Sequence, residues 1–253
     1  MRAIRLFVLP ALLLALLLAP RFARAAEIRI ISPGIVYNAA LYELVADYNK
    51  TGGDTVVIVR GTMDQIIGKA KTDVPPADVV GLPPDLMNTL MLDGGIVNSS
   101  YTPLGRGELG LAVKKGAPKP DIATVEKLAA VLKSGTVMTN DPKSGTLQGT
   151  MIEGILKRPE FMGVKIAHPA KGEGAAALAN GQGDMAIQLV QEILNKPQID
   201  LVAPLPVELG GHIDAVLAVS SRSPNPQAAA AFIKFLTSPA AKAAWQAKGF
   251  RPF

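Results

Sequence analysis

The chain has 253 residues, 49% of them hydrophobic, no cysteine and a formal net charge of +5. Without cysteine it can form neither disulfides nor thiolate metal sites. Residues 1–25 hold four arginines and no acid, so the remainder is close to neutral at +1, no footprint for a nucleic-acid partner.

Taken in order, Arg2 and Arg5 precede an apolar run from Leu6 to Ala19, and Ala23-Arg24-Ala25 follows with small residues at cleavage-site spacing. The pattern predicts a signal peptide over 1–25 and an exported, soluble chain from Ala26. The alternative, an uncleaved anchor, calls for a longer apolar run. With no cysteine beside the site, a lipoprotein anchor is excluded. The remaining 228 residues suit one large α/β unit or two lobes of ordinary size.

Glu27–Ile31 reads as a strand, Ser32-Pro33-Gly34 breaks it, and Asn38 is placed to cap the helix that follows. Leu41, Leu44, Val45 and Tyr48 share one face of that helix. Thr55–Val59 is nearly continuous in apolar residues, as a strand buried on both faces requires. Arg60-Gly61-Thr62 then leads into a helix from Met63, and Ala77–Val80 is a third strand, followed by a helix over Asp85–Leu92. From Arg106 the pattern changes. A strand over Gly107–Lys115 has no helix before it; a helix to Lys133, a strand at Gly135–Met138 and a further turn and helix come next. Ile166–Pro169, Asp184–Val190, Ile199–Val202 and Ile213–Val219 read as strands, Glu173–Asn180 as a helix, and two helices carrying Phe232, Phe235 and Trp245 close the chain.

This order predicts two βα lobes, the second inserted into the first: residues 26–104 with 209–253, and residues 105–208. Each lobe is expected to be a mostly parallel sheet flanked by helices. Two crossings, near Gly105–Val113 and Val207–Ile213, would form a hinge. Ligands of open α/β sheets collect beyond the carboxyl ends of strands. Ser32, Gly34, Arg60, Gly61 and Thr62 stand at two such ends. In the second lobe, Asp141-Pro142 opens a turn, and Ser144, Gly145 and Thr146 stand at the start of a helix. The first N–H groups of a helix lack internal partners and carry partial positive charge, so hydroxyls beside them make an anion site. The plainer reading is that Ser144 or Thr146 only caps the helix.

The element order, the RGTMDQI segment before PPADVV (60–80), Asn140-Asp141-Pro142, the run GEGAAALANGQGDMAI up to Ile187 and the terminal AAFIKFLTSPAAKAAWQAKGF (230–250) resemble the periplasmic solute-binding proteins of ABC importers, type II topology. The nearest subfamily is similar to the molybdate-binding proteins. The resemblance implies a periplasmic, monomeric, non-enzymatic protein without a cofactor, closing two lobes on a small anion and delivering it to an ABC permease. Two positions depart from the molybdate pattern: Ile35 stands in place of a serine and Leu189 in place of a tyrosine. That moves the expected ligand from molybdate or tungstate toward an organic carboxylate. Arg60 is the expected carboxylate clamp, and Gln188 an uncharged donor and acceptor from the second lobe.

Other chemistry finds little support in the sequence. His168 and His212 are the only histidines and have no partner carboxylate at metal-ligand spacing. His212 and Asp214 invite a serine-triad reading, but no GxSxG elbow or P-loop is present. A ligand-sensing exoprotein and a periplasmic hydrolase are the competing classes.

Overall fold

The computed structural model describes residues 25–51, 53–170 and 172–253. The expected signal peptide, apart from Ala25, lies outside the described residues. Among these residues, no helix is long and apolar enough to cross a membrane.

Ten strands form one strongly bent sheet. The first half is built on β1 (Glu27–Ser32), which pairs in parallel with β2 (Thr55–Arg60) and β3 (Val79–Leu82). Ile28, Ile30 and Ile31 of β1 are buried, as expected of a central strand covered on both faces. The first helical segment starts earlier than the sequence suggests. Pro33 is its N-cap, with α1 at Gly34–Val36, a π-helical turn at Tyr37–Leu41 and α2 at Tyr42–Asn49. Asn38 is therefore inside the helical segment, not its cap. Proline fixes φ at a value a helix start accepts and gives up only an N–H that would have no partner there, so the break at Ser32-Pro33 is also the beginning of the helix. The helices α3 (Met63–Thr72) and α4 (Pro84–Leu92) follow β2 and β3.

The strand β4 (Thr102–Lys114) joins the halves. Over Thr102–Glu108 it pairs with β9 (His212–Val219), and beyond it with β7 (Met185–Leu189) and β8 (Ile199–Pro204). The other crossing lies beside this changeover: the Leu109 N–H donates to Gly211 O at 2.7 Å, and the Leu205 N–H donates to Leu109 O at 2.9 Å. All these β4 pairings are antiparallel, so parallel pairing is confined to the outer strands, including β5 (Thr136–Met138) with β6 (Lys165–Ala167) and with β7. The centre is antiparallel because the strands that carry the chain across run against one another.

The helices α5 (Val125–Lys133), α6 (Leu147–Leu156), α7 (Gly174–Ala179) and α8 (Val190–Leu194) belong to the second half. The strand read over Asp184–Val190 stops at Leu189, and the chain turns directly into α8. The helices α9 (Pro226–Leu236) and α10 (Pro239–Ala247) pack back on the first half, followed by β10 (Phe250–Pro252) on β4. Trp245 and Phe232 are fully buried. The indole N–H donates to Leu236 O at 2.9 Å, so burying this ring strands no polar group.

Candidate functional site

A cavity of about 360 Å³ opens between the halves. Its rim, half-buried to exposed, holds Gly61, Thr62 and Met63 from the first half, and Ser144, Gly145, Thr146 and Leu147 from the second. Its buried floor includes Ile35, Gln148, Leu189, Glu192 and Ile213, with Gly34, Tyr37 and Asn38 beside them.

Both rim segments are helix starts, and local sequence explains each. The Thr62 side chain accepts from the Gln65 N–H while Gln65 Oε1 accepts from the Thr62 N–H at 3.0 Å, a reciprocal capping box. On the facing rim, Thr146 Oγ1 accepts from the Gly149 N–H at 3.2 Å. Ser144 donates to Asp141 O at 2.6 Å and lies 3.2 Å from the Thr146 hydroxyl. Gly145 has φ 71°, the left-handed turn that brings the chain from the 3₁₀ turn at Pro142–Ser144 into α6. Capping and cavity lining are thus not alternatives here: Thr62 and Thr146 do both. Two helix N-termini from different halves present partial positive charge to one space.

The floor has the opposite character. Glu192 is 6% exposed. Its Oε1 accepts from Asn38 Nδ2 at 3.0 Å, and its Oε2 from Gln188 Nε2 at 2.6 Å. With the Gln148 amide turned to satisfy its neighbours, Gln148 also donates to Glu192 Oε2 at 3.2 Å. All three donors are neutral. Burial, and secondarily the negative charge of Glu173, push the Glu192 carboxyl up to about 7; the three amides oppose that rise. Glu173 also lines the cavity, with Lys196 Nζ 3.8 Å from its Oε2. The described lining residues include no lysine, arginine or histidine.

Six of the nine residues expected from sequence line this cavity: Gly34, Gly61, Thr62, Ser144, Gly145 and Thr146. Three do not. Ser32 ends β1 fully buried, its Cβ against Gly81 of β3, and its hydroxyl has no partner; strand alternation turns it into the sheet interior. Arg60 ends the edge strand β2 exposed to solvent, with its guanidinium carbon 5.9 Å from the ring centre of Tyr37, which lines the cavity while Arg60 does not. Gln188 is fully buried because Leu189, the next residue in the pleat, takes the cavity side. Its Oε1 accepts from the Ala175 N–H at 3.4 Å while its amide supports Glu192.

Sequence reasoning missed Glu192, Asn38, Tyr37, Gln148 and Glu173. The available signal was the run LVQEIL, in which an acid sits among Val190, Ile193 and Leu194 at helical spacing. Asp214 forms a paired contact with Arg106, Nη2 to Oδ2 at 2.9 Å, so it is already engaged by a guanidinium. Nδ1 of His168 lies 3.1 Å from the Thr139 hydroxyl. Among the described residues, no group of three or more His, Cys, Asp or Glu is arranged to hold a metal ion.

The model of the bacterial extracellular solute-binding protein family matches residues 30–251, and the chain belongs to that family. Proteins of this family bind small ligands and work with ABC transporters. The fold is that of a substrate-binding domain of a putative molybdenum ABC transporter from Clostridium difficile, with a TM-score of 0.74, 15% identity and 90% of this chain and 100% of that one covered. The periplasmic molybdate-binding protein of Azotobacter vinelandii matches with a TM-score of 0.65 and 17% identity over 88% of this chain and 98% of the other. A curated Pseudomonas protein named aconitate isomerase is 29% identical over 255 residues, 96% of this chain and 97% of that protein.

Proposed function

We propose that this solute-binding protein captures a small organic acid between its halves and hands it to an ABC permease. The observation that carries the reading is the convergence of two capped helix starts, at Thr62 and Thr146, on one cavity. Backbone N–H groups and hydroxyls suit an anion, while Met63, Ile35 and Leu189 leave apolar walls that suit a carbon skeleton better than a bare oxyanion. The curated relative's name points the same way, since aconitate is a tricarboxylate. Capture would proceed by hinge closure at the adjacent crossings beside Leu109 and Gly211. A thermal-shift screen of the purified protein with citrate, malate, propane-1,2,3-tricarboxylate, molybdate, tungstate and sulfate side by side tests the reading. Carboxylates are expected to raise the melting temperature most, because a ligand of the folded state alone stabilises it. A shift from molybdate or tungstate with none from any carboxylate would overturn the ligand class.

A second reading, an isomerase of an unsaturated polycarboxylate, is favoured by the relative's name together with the buried Glu192 carboxyl on the cavity floor. Proton NMR of aconitate incubated with the protein distinguishes the two. New vinyl signals would support the isomerase; an unchanged spectrum under conditions where aconitate binds leaves a carrier.

A further inference from the structure

The floor of the cavity sets a problem for any anion bound there. Glu192 reaches the cavity with its carboxyl nearly removed from water, and the groups that hold it, Asn38, Gln148 and Gln188, are uncharged. An anion entering this space brings a second negative charge and more lone pairs toward the first. Two carboxylates or oxyanions that share a small dry site do not both remain ionised; one of them takes a proton.

We infer that Glu192 and the bound ligand share one proton, so that capture of an anion above neutral pH brings a proton into the complex. The inference rests on the proposed capture of an organic acid in this cavity. A carboxylic acid pairs with a carboxylate through one O–H···O bond, in which either partner carries the proton. Above neutral pH the ligand arrives ionised, so the shared proton is the one Glu192 holds or takes up from solvent on binding.

The surroundings agree with this assignment. Of the charged groups facing Glu192, Glu173 adds negative charge and is itself only loosely matched by Lys196 at 3.8 Å. Arg60 lies across the Tyr37 ring and does not line the cavity. Tyr37 keeps its proton, since burial raises its pKa further. From α6, β7 and the π-helical turn, only amides reach the carboxyl. Burial already holds the Glu192 proton up to about neutral pH, so a ligand needs to stabilise the protonated pair only a little more. The location matters as well: Asn38 comes from the first half and Gln188 from the second, so the shared proton sits where the halves meet.

Calorimetric titration of the protein with propane-1,2,3-tricarboxylate, citrate, malate, sulfate and molybdate, at one pH in two buffers of different ionisation enthalpy, counts the protons taken up. At pH 8 the bound carboxylate is expected to bring close to one proton into the complex, and its affinity to fall about tenfold from pH 7.5 to 8.5, the dependence of a one-proton uptake. Glu192→Gln is expected to remove both effects. Carboxylate binding without proton uptake overturns the inference and leaves capture itself standing. Failure of every anion to bind either protein would remove capture, and the inference with it. The proton count on the wild type stands even if the Glu192→Gln protein does not fold.

Discussion

The rim and the floor of the cavity are built on opposite principles. At the rim, short-range hydrogen bonds secure helix starts whose backbone leans positive, and the side chains are half-buried or exposed. On the floor, one buried acid is held by three amides from three separate elements, two of which, Gln148 and Gln188, have further hydrogen-bond partners. The difference teaches how such a site divides its work. In the proposed reading the rim attracts the anion. The polar groups of the buried floor are expensive to disturb because little water is there to replace a lost partner.

The largest expected effect therefore falls on the floor. Gln188→Leu keeps the volume but removes the amide that donates to Glu192 and the oxygen that accepts from Ala175. Stability should drop by roughly 2–4 kcal/mol, the range for breaking a buried polar network, read by urea denaturation. A loss under about 0.5 kcal/mol, the size of an ordinary surface change, would mean the floor is wetter than its burial implies.

Next comes the pH dependence of the apo protein. Burial raises the Glu192 carboxyl to about 7 in the folded state, whereas the unfolded chain holds it near the ordinary glutamate value. Between those two values the folded state binds more protons than the unfolded one, so stability falls as pH rises through the window and levels off above it. The fall attributable to Glu192 is on the order of 3 kcal/mol, at about 1.4 kcal/mol per pH unit. Comparing melting curves of the wild type and Glu192→Gln between pH 4.5 and 8.5 isolates it. The variant should lose this component of the slope, and identical slopes would place the carboxyl in contact with water.

At the rim, Thr62→Ala and Thr146→Ala each remove a cap and should lower stability by about 1 kcal/mol. Their effect on ligand affinity should exceed their effect on the fold, which a paired binding and melting measurement shows directly. The smallest effect belongs to Arg60→Ala, expected within about 0.5 kcal/mol in stability as for other exposed side chains. Its affinity change separates two geometries. A guanidinium that clamps the ligand directly would cost roughly 2–5 kcal/mol on truncation, whereas one that stays outside the cavity would cost far less.

The same contrast explains what the sequence discloses. Thr62 and Gln65, or Thr146 and Gly149, lie three residues apart, so their partnership is written in a local motif and the helix starts can be placed without knowing the fold. Ser144 and Gly145 follow from the same turn. The Glu192 cluster joins residues 38, 148, 188 and 192, the farthest pair 154 apart in sequence; Gln188 and Glu192 are close in the chain, but no local pattern relates them to Asn38 and Gln148. Two local signals also misdirect. Asn38 has the side chain of a cap, but Pro33 has already started the helix. Gln188 and Arg60 carry suitable chemistry, yet the pleat turns Gln188 into the interior, and Arg60, at the exposed end of the edge strand, does not line the cavity. The two-half architecture was legible because strand and helix periodicity survive along the chain. The antiparallel centre was not, because strand direction depends on which strands become neighbours.

The most direct test of the central claim is a crystal structure of the protein with the carboxylate that stabilises it most. The ligand is expected in the cavity between the halves, its carboxylate oxygens within hydrogen-bond reach of backbone N–H groups at the starts of both α3 and α6. A ligand held by one half alone, or seated elsewhere on the molecule, would contradict the account.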